Sequence, residues 1–312
     1  MSTSVPKLIL YGLYSWLVTP PVGTGGSVSA RYCYSVFLRH RLLAARHGLL
    51  PPVSSVVELG PGDSLGVGLM ALLTGTERYH AVDAVRHASP ATNLAVFEGL
   101  VTLLRNRAPI PADGDCAEIR PLIDKHDFPS HLFDDAALEA ALLPQRLDAI
   151  RRELRGDLSS GIIRYLAPWG ELRSLPAGSV DWVFSQAVME HVDRPAHTYR
   201  EAFRCLRPGG FMSHQIDFRS HETAPEWNGH LKYPGWQWRL MRGNRPWFIN
   251  RLPYSAHLRM QQDAGFTILD EMPQTQPNAL RRSQLAREFE TMTQQDLQVA
   301  GAMIVSQRRT VG

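Results

Sequence analysis

Short apolar runs alternate with longer amphipathic ones through the first half of the chain. Val56-Val57-Glu58-Leu59 is apolar apart from its acidic third position and stops at Gly60-Pro61-Gly62, the pattern of a strand buried on both faces that enters a tight turn. Tyr79-His80-Ala81-Val82 repeats the run and ends in Asp83. Tyr32 to His47 sets Tyr32, Val36, Leu42 and Leu43 among Arg31, Arg39, Arg41 and Arg46, which predicts a helix. From about residue 105 to 156, Pro109, Pro111, Pro121, Pro129 and Pro144 rule out one long helix. Two helical pieces remain there, Asp135 to Leu143 behind an acidic cap and Gln145 to Leu154 with Leu147, Ile150 and Leu154 at helical spacing.

The N-terminal run from Leu8 to Val18 is almost wholly apolar and follows Lys7. It is too short to span a bilayer. Val28-Ser29-Ala30 resembles a signal-peptidase site, yet the expectation is a helix packed on the sheet edge, with peripheral membrane contact through residues 8–18 as the other outcome.

The turn at residues 58–64 carries the first chemistry. Gly60 and Gly62 remove Cβ atoms where a ligand must approach the backbone, and Asp63 or Ser64 can cap the following helix. Asp83, one strand later, stands where an acidic side chain meets a ribose diol. A dinucleotide wants a third glycine to bring its pyrophosphate to the helix N-terminus, but Leu65 holds that position and Asp63 would repel phosphate. A ribose ligand without phosphate and with a cationic centre suits Glu58 and Asp83 better.

At this point the chain resembles the class I S-adenosylmethionine-dependent methyltransferases, with Ser64 where their third motif glycine stands. The resemblance extends through Ser179-Val180-Asp181-Trp182-Val183-Phe184-Ser185 as a fourth strand, Glu190-His191-Val192, a helix through Tyr199 to Leu206, Arg207-Pro208-Gly209-Gly210 and a fifth strand, Phe211 to Ile216. Ala264 to Leu269 and Ala302 to Ser306 complete strands six and seven. It implies an α/β, Rossmann-like, doubly wound and mostly parallel seven-stranded sheet with helices on both faces and two insertions. The implied division is an N-terminal helical cover over residues 1–52 and a methyltransferase domain over 53–312. The first insertion, about 105–156, is a lid or a surface elaboration, and the second spans 219–256. The implied cofactor is S-adenosyl-L-methionine, held by Glu58, Gly60, Pro61, Gly62, Asp83, Trp169, Ser185 and Gln186. Ala167-Pro168-Trp169 lacks the acidic residue with which many relatives contact adenine.

The second insertion holds Trp227, Trp236, Trp238 and Trp247 among Arg239, Arg242, Arg245 and Arg251, a composition suited either to an acceptor pocket or to a satellite core. An alcohol acceptor must lose a proton as it attacks the donor methyl, and His221, His214 and Asp217 are the candidates for that work, with His191 a further base. His221 is favoured because it lies just past a strand's carboxyl end. A metal on Asp217 and His221 is the lesser expectation beside a hydrogen-bonded set without one.

Bulk composition agrees with one enzyme-sized unit: 312 residues, 44% hydrophobic, formal net charge +3. So small a charge gives no electrostatic case for DNA. Cys33, Cys116 and Cys205 are too few and scattered for a disulfide framework, and a cytosolic donor implies a cytoplasmic location. The chain along its length also resembles methyltransferases encoded with surface-polysaccharide genes, which suggests O-methylation of a sugar, glycan precursor or other hydroxylated small molecule. A lipid, a natural product, RNA, or a silent donor-binding module are the alternatives.

Overall fold

The computed structural model describes residues 4–18, 26–50, 52–112, 119–156, 158, 161–245 and 247–309. Helices α1 (Val5–Tyr14) and α2 (Ala30–Arg46) precede β1 (Ser55–Leu59), α3 (Gly66–Leu73), β2 (Arg78–Val82), α4 (Pro90–Arg105), α5 (Asp135–Ala141) and α6 (Pro144–Arg155). There follow β3 (Ile163–Leu166), β4 (Val180–Gln186), α7 (Pro195–Cys205), β5 (Leu206–Asp217), α8 (Gly235–Arg242), α9 (Tyr254–Asp263), β6 (Phe266–Thr275), the short α10 (Gln294–Gln298) and β7 (Val299–Arg308).

The seven strands form one sheet in the order β3-β2-β1-β4-β5-β7-β6. β1 pairs in parallel with both β2 and β4, so strand order reverses between β1 and β4 and leaves a crevice at their carboxyl ends. β7 runs antiparallel between β5 and β6. Central strands covered on both sides read as continuous apolar runs, and all five residues of β1 are buried.

Helix α2 is more deeply set than a cover. Cys33, Tyr34, Val36, Phe37, Leu38 and Leu43 are buried with α3, α4 and the sheet in one core. Ile110, Ile123, Phe133, Leu138, Leu147 and Leu154 of the first insertion join that same core. These side chains extend the packing of that core. Cys33 and Cys205 are buried free thiols, and Cys116 lies outside the described residues.

Two expectations are revised. The N-terminal helix packs on α8 of the second insertion rather than on the sheet edge: Leu8 is buried with Tyr233, Trp238 and Met241. β5 begins at Leu206, since Val180 pairs with Leu206 and Trp182 with Phe211, so Arg207 to Gly210 form an irregularity within the strand instead of preceding it.

Three fully buried histidines tie the layers together. His40 of α2 bonds Ser213 Oγ at 2.9 Å and Gln186 Oε1 at 3.1 Å, His214 bonds Ser185 Oγ at 2.7 Å, and His257 bonds the Tyr199 hydroxyl at 2.8 Å. Burial pushes their pKa values down to about 4, 3 and 3, whereas an unfolded chain holds histidine near 6.5. The folded state thus binds fewer protons, and stability present above pH 6.5 is lost as the pH falls towards the folded values. Three such groups give a slope approaching about 4 kcal/mol per pH unit. The urea midpoint should drop steeply between pH 6.5 and 5, and a level midpoint would contradict neutral burial of this trio.

Candidate active site

The crevice at the β1/β4 reversal opens into a cavity of about 700 Å³, within the range of small-molecule sites. Its acidic wall comes from the ends of β1 and β2. Glu58 Oε2 accepts from the Tyr79 hydroxyl at 2.5 Å and from the Gly68 amide at 3.0 Å, and burial lifts its pKa to about 8. Asp83 accepts from the Gly62 amide at 3.3 Å and the Ala84 amide at 2.7 Å. Burial raises its pKa as well, against those two amides.

The turn between these carboxyl groups needs its glycines. Gly60 and Gly62 have φ of 68° and 73°, the left-handed region that side chains disfavour. At Gly60 a Cβ would stand 2.6 Å from Val188 Cγ2, so a branched side chain there meets Val188 on the pocket wall.

Ser64 has a structural reason to replace glycine. Its hydroxyl bonds the Ser27 carbonyl and accepts the Gly66 amide at 3.2 Å, while Ser27 Oγ accepts the Ser64 amide at 2.9 Å and donates to the Pro61 carbonyl at 2.8 Å. This clasp fastens the segment before α2 across the turn and brings Ser27 and Tyr32 to the cavity. Trp169 also lines it, with its indole N–H donating to Thr198 Oγ1 at 3.1 Å, as does Gln186.

Another wall is imidazole. His191 follows β4 and donates from Nδ1 to the Trp247 carbonyl at 2.6 Å, which leaves Nε2 as a lone-pair site. Burial pushes its pKa down to about 4. His221 meets it edge-on, ring centroids 5.0 Å apart. His221 and Glu222 have φ of 45° and 62°, two consecutive left-handed side-chain residues beyond β5, a strained turn of the kind that occurs at functional sites. Burial lowers the His221 pKa, and Asp217, with Oδ2 3.7 Å from His221 Nε2, partly opposes that. Asp217 is only partly exposed, which works against ionisation, yet the bonds from Arg219 and the nearby His221 hold its carboxyl below the usual range.

Of the residues picked from sequence, Glu58, Gly60, Pro61, Gly62, Asp83, Trp169, Gln186 and His221 come together on this cavity. Ser185 and His214 do not. They point to the side of the sheet that α7 and α9 cover, bond each other, and have no exposure; a carboxyl-end position does not bring a side chain to the pocket when its face of the strand is covered. Asp217 stands behind His221 rather than on the wall.

Ser27, Tyr32, Thr198 and Trp247 line the cavity without having been picked. Trp247 stood in view within the tryptophan-rich insertion; Ser27 and Tyr32 carried no local signal. Of the other three tryptophans, Trp238 is buried in a satellite core, Trp227 bonds the Pro277 carbonyl, and Trp236 is 59% exposed on α8.

The group among the described residues that could hold a metal ion is Glu190, His191 and His221, whose ligating atoms lie within 4.8 Å of one another. It differs from the pair read from sequence because Arg219 occupies both oxygens of Asp217.

Residues 142–213 match the sequence model of a methyltransferase domain. No curated protein sequence is similar to the chain at a significant level. Among solved structures, an S-adenosylmethionine-dependent methyltransferase from Mesorhizobium loti is 15% identical, over 85% of this chain and 96% of its own, with TM-score 0.41. A geranyl diphosphate methyltransferase in complex with S-adenosylmethionine is 11% identical over 87% and 85%, TM-score 0.43. The [4+2]-cyclase SpnF is 14% identical over 88% and 81%, TM-score 0.41.

Replacing Asp83 by Ala removes an ionic acceptor from the pocket wall and should weaken S-adenosylmethionine about ten- to hundredfold by calorimetry. An undiminished affinity in a folded variant would remove Asp83 from the ribose. The match to a methyltransferase domain covers residues 142–213, from near the start of α6 into β5, and the acidic pocket lies at the sheet reversal between β1 and β4.

Proposed function

We propose that the chain transfers the sulfonium methyl of S-adenosylmethionine to a hydroxyl oxygen of a small acceptor, a sugar or glycan precursor being the favoured class, and that His221 takes the hydroxyl proton. The observation that supports this is the His221–Asp217 pair at the cavity, a neutral imidazole backed by an ionised carboxylate. A nitrogen or carboxylate nucleophile needs no base, so such a pair on the wall favours an alcohol. As the acceptor oxygen forms its bond to the methyl carbon, the carbon–sulfur bond breaks. The neutral sulfide S-adenosylhomocysteine departs, and the proton passes to the imidazole. Asp217 stabilises the imidazolium, as an acidic partner does in other histidine bases.

Trp247 is the insertion's aromatic contribution to the cavity, and in this reading it stacks on the acceptor. Asp193 also lines the cavity, and Arg242 bonds it at 2.6 Å.

His221→Ala should lower kcat about 10²–10⁴-fold with donor affinity intact. Because only neutral imidazole accepts a proton, and burial lowers the His221 pKa, activity should rise with pH through a midpoint below 6.5. Asp217→Asn should move that midpoint further down, since the carboxylate favours the charged ring. A fully active His221→Ala enzyme with a level profile would defeat the base assignment. Activity lost to a chelator and restored by Mn²⁺ would transfer the role to an ion on Glu190, His191 and His221.

Trp247→Ala should raise the acceptor KM several-fold or more, while Trp236→Ala, on the outer face of α8, should leave it unchanged. Equal effects of the two would take the acceptor away from Trp247.

A further inference from the structure

Helix α1 is apolar on two faces, and the fold uses one. Leu8, Gly12 and Ser15 turn towards α8. Gly12 lies so close that a Cβ there would stand 1.9 Å from the Leu240 carbonyl oxygen. Ser15 Oγ donates to the Gly12 carbonyl at 2.6 Å and accepts the Asn244 amide at 2.7 Å. The other face carries Leu10, Leu13, Tyr14 and Leu17, the i, i+3, i+4, i+7 stripe of a helix, and these are 65, 50, 54 and 83% exposed. Trp16 and, on α8, Trp236 and Leu240 are exposed as well. So many large apolar side chains on one helix pair exceed the scattered exposure normal for a soluble surface.

Charge says what kind of surface should cover them. The sequence has no Asp or Glu before Glu58 and none between Glu226 and Asp263. Lys7 lies on α1 and Arg239 on the outer face of α8 between Trp236 and Leu240. The carboxylates that reach α8, Glu288 at the Gly235 amide and Asp193 at Arg242, lie at its two ends, so leucine, tryptophan and tyrosine have Lys7 and Arg239 among them, a composition that settles at the boundary between acyl chains and anionic headgroups. A second copy of the same face would bring like charge against like. No helix among the described residues is long and apolar enough to cross a membrane, so the contact is with the bilayer surface.

We propose that the open stripe of α1 and the outer face of α8 dock this enzyme on the surface of an anionic lipid bilayer. Since α8 belongs to the same insertion as Trp247 and His221, docking would hold that part of the cavity wall at the lipid boundary. The proposal is independent of the acceptor's identity.

The test is flotation of the full-length protein with phosphatidylcholine vesicles, with and without phosphatidylglycerol. Anionic vesicles should carry the protein upward at least about tenfold better than zwitterionic ones, and added salt should weaken this. Leu13→Ser combined with Leu17→Ser should reduce partitioning at least about tenfold, as should Lys7→Glu combined with Arg239→Glu. Both variants alter exposed side chains, so melting temperature and donor affinity should stay at the wild-type level. Failure of the wild-type protein to float with either vesicle would overturn the proposal. So would a wild-type dimer that Leu13→Ser with Leu17→Ser turns to monomer, which would assign the face to a second copy.

Discussion

Burying a carboxyl group at the end of a central strand is costly unless other groups replace its water, and the β1 end of the cavity is built around how Glu58 meets that demand. One oxygen collects the Tyr79 hydroxyl from β2 and the Gly68 amide from α3, so a single carboxyl group fixes the relation of two strands and a helix. The group remains hard to ionise without a ligand. A sulfonium cation arriving in the cavity changes that balance, because an opposite charge nearby favours the carboxylate. In the proposed reaction, Glu58 would carry its charge only once the donor is bound.

The imidazole wall depends on a different economy of backbone. His191 lies five residues past the end of β4, and Ala187, just after that strand, has a φ of 53° that turns the chain across the sheet end. His221 is brought over by the left-handed pair at residues 221 and 222. Asn250, at the far end of the second insertion, holds the His191 segment by donating to the Met189 and Val192 carbonyls at 2.9 and 3.0 Å, and its backbone amide donates to the Glu190 carbonyl at 2.7 Å. The second insertion, besides bringing His221 and Trp247 to the cavity, grips the loop after β4.

Local constraints made the donor turn legible. Glycines at positive φ and an acidic strand end leave marks within a few residues, so Gly60, Gly62 and Asp83 stand out without knowledge of the rest of the chain. β3 left a fainter mark: four residues with Arg164 half-buried in the middle give little apolar pattern. The fates of Ser185 and His214 depend on which helices cover which face of β4 and β5, which alternation along a strand does not encode. The tryptophans were ambiguous for the same reason. Trp238 and Trp236 are two positions apart on one short helix, and packing alone sends one inward and one to solvent.

The bond from the Asn244 amide to Ser15 Oγ joins residues 229 positions apart. During synthesis α1 is made well before its partner α8, which follows the first five strands of the sheet. In that interval both of its apolar faces are open, the condition in which nascent segments associate wrongly or are taken up by chaperones. The docking of α1 is therefore a late event in the folding of each chain, because Ser15 waits for Asn244.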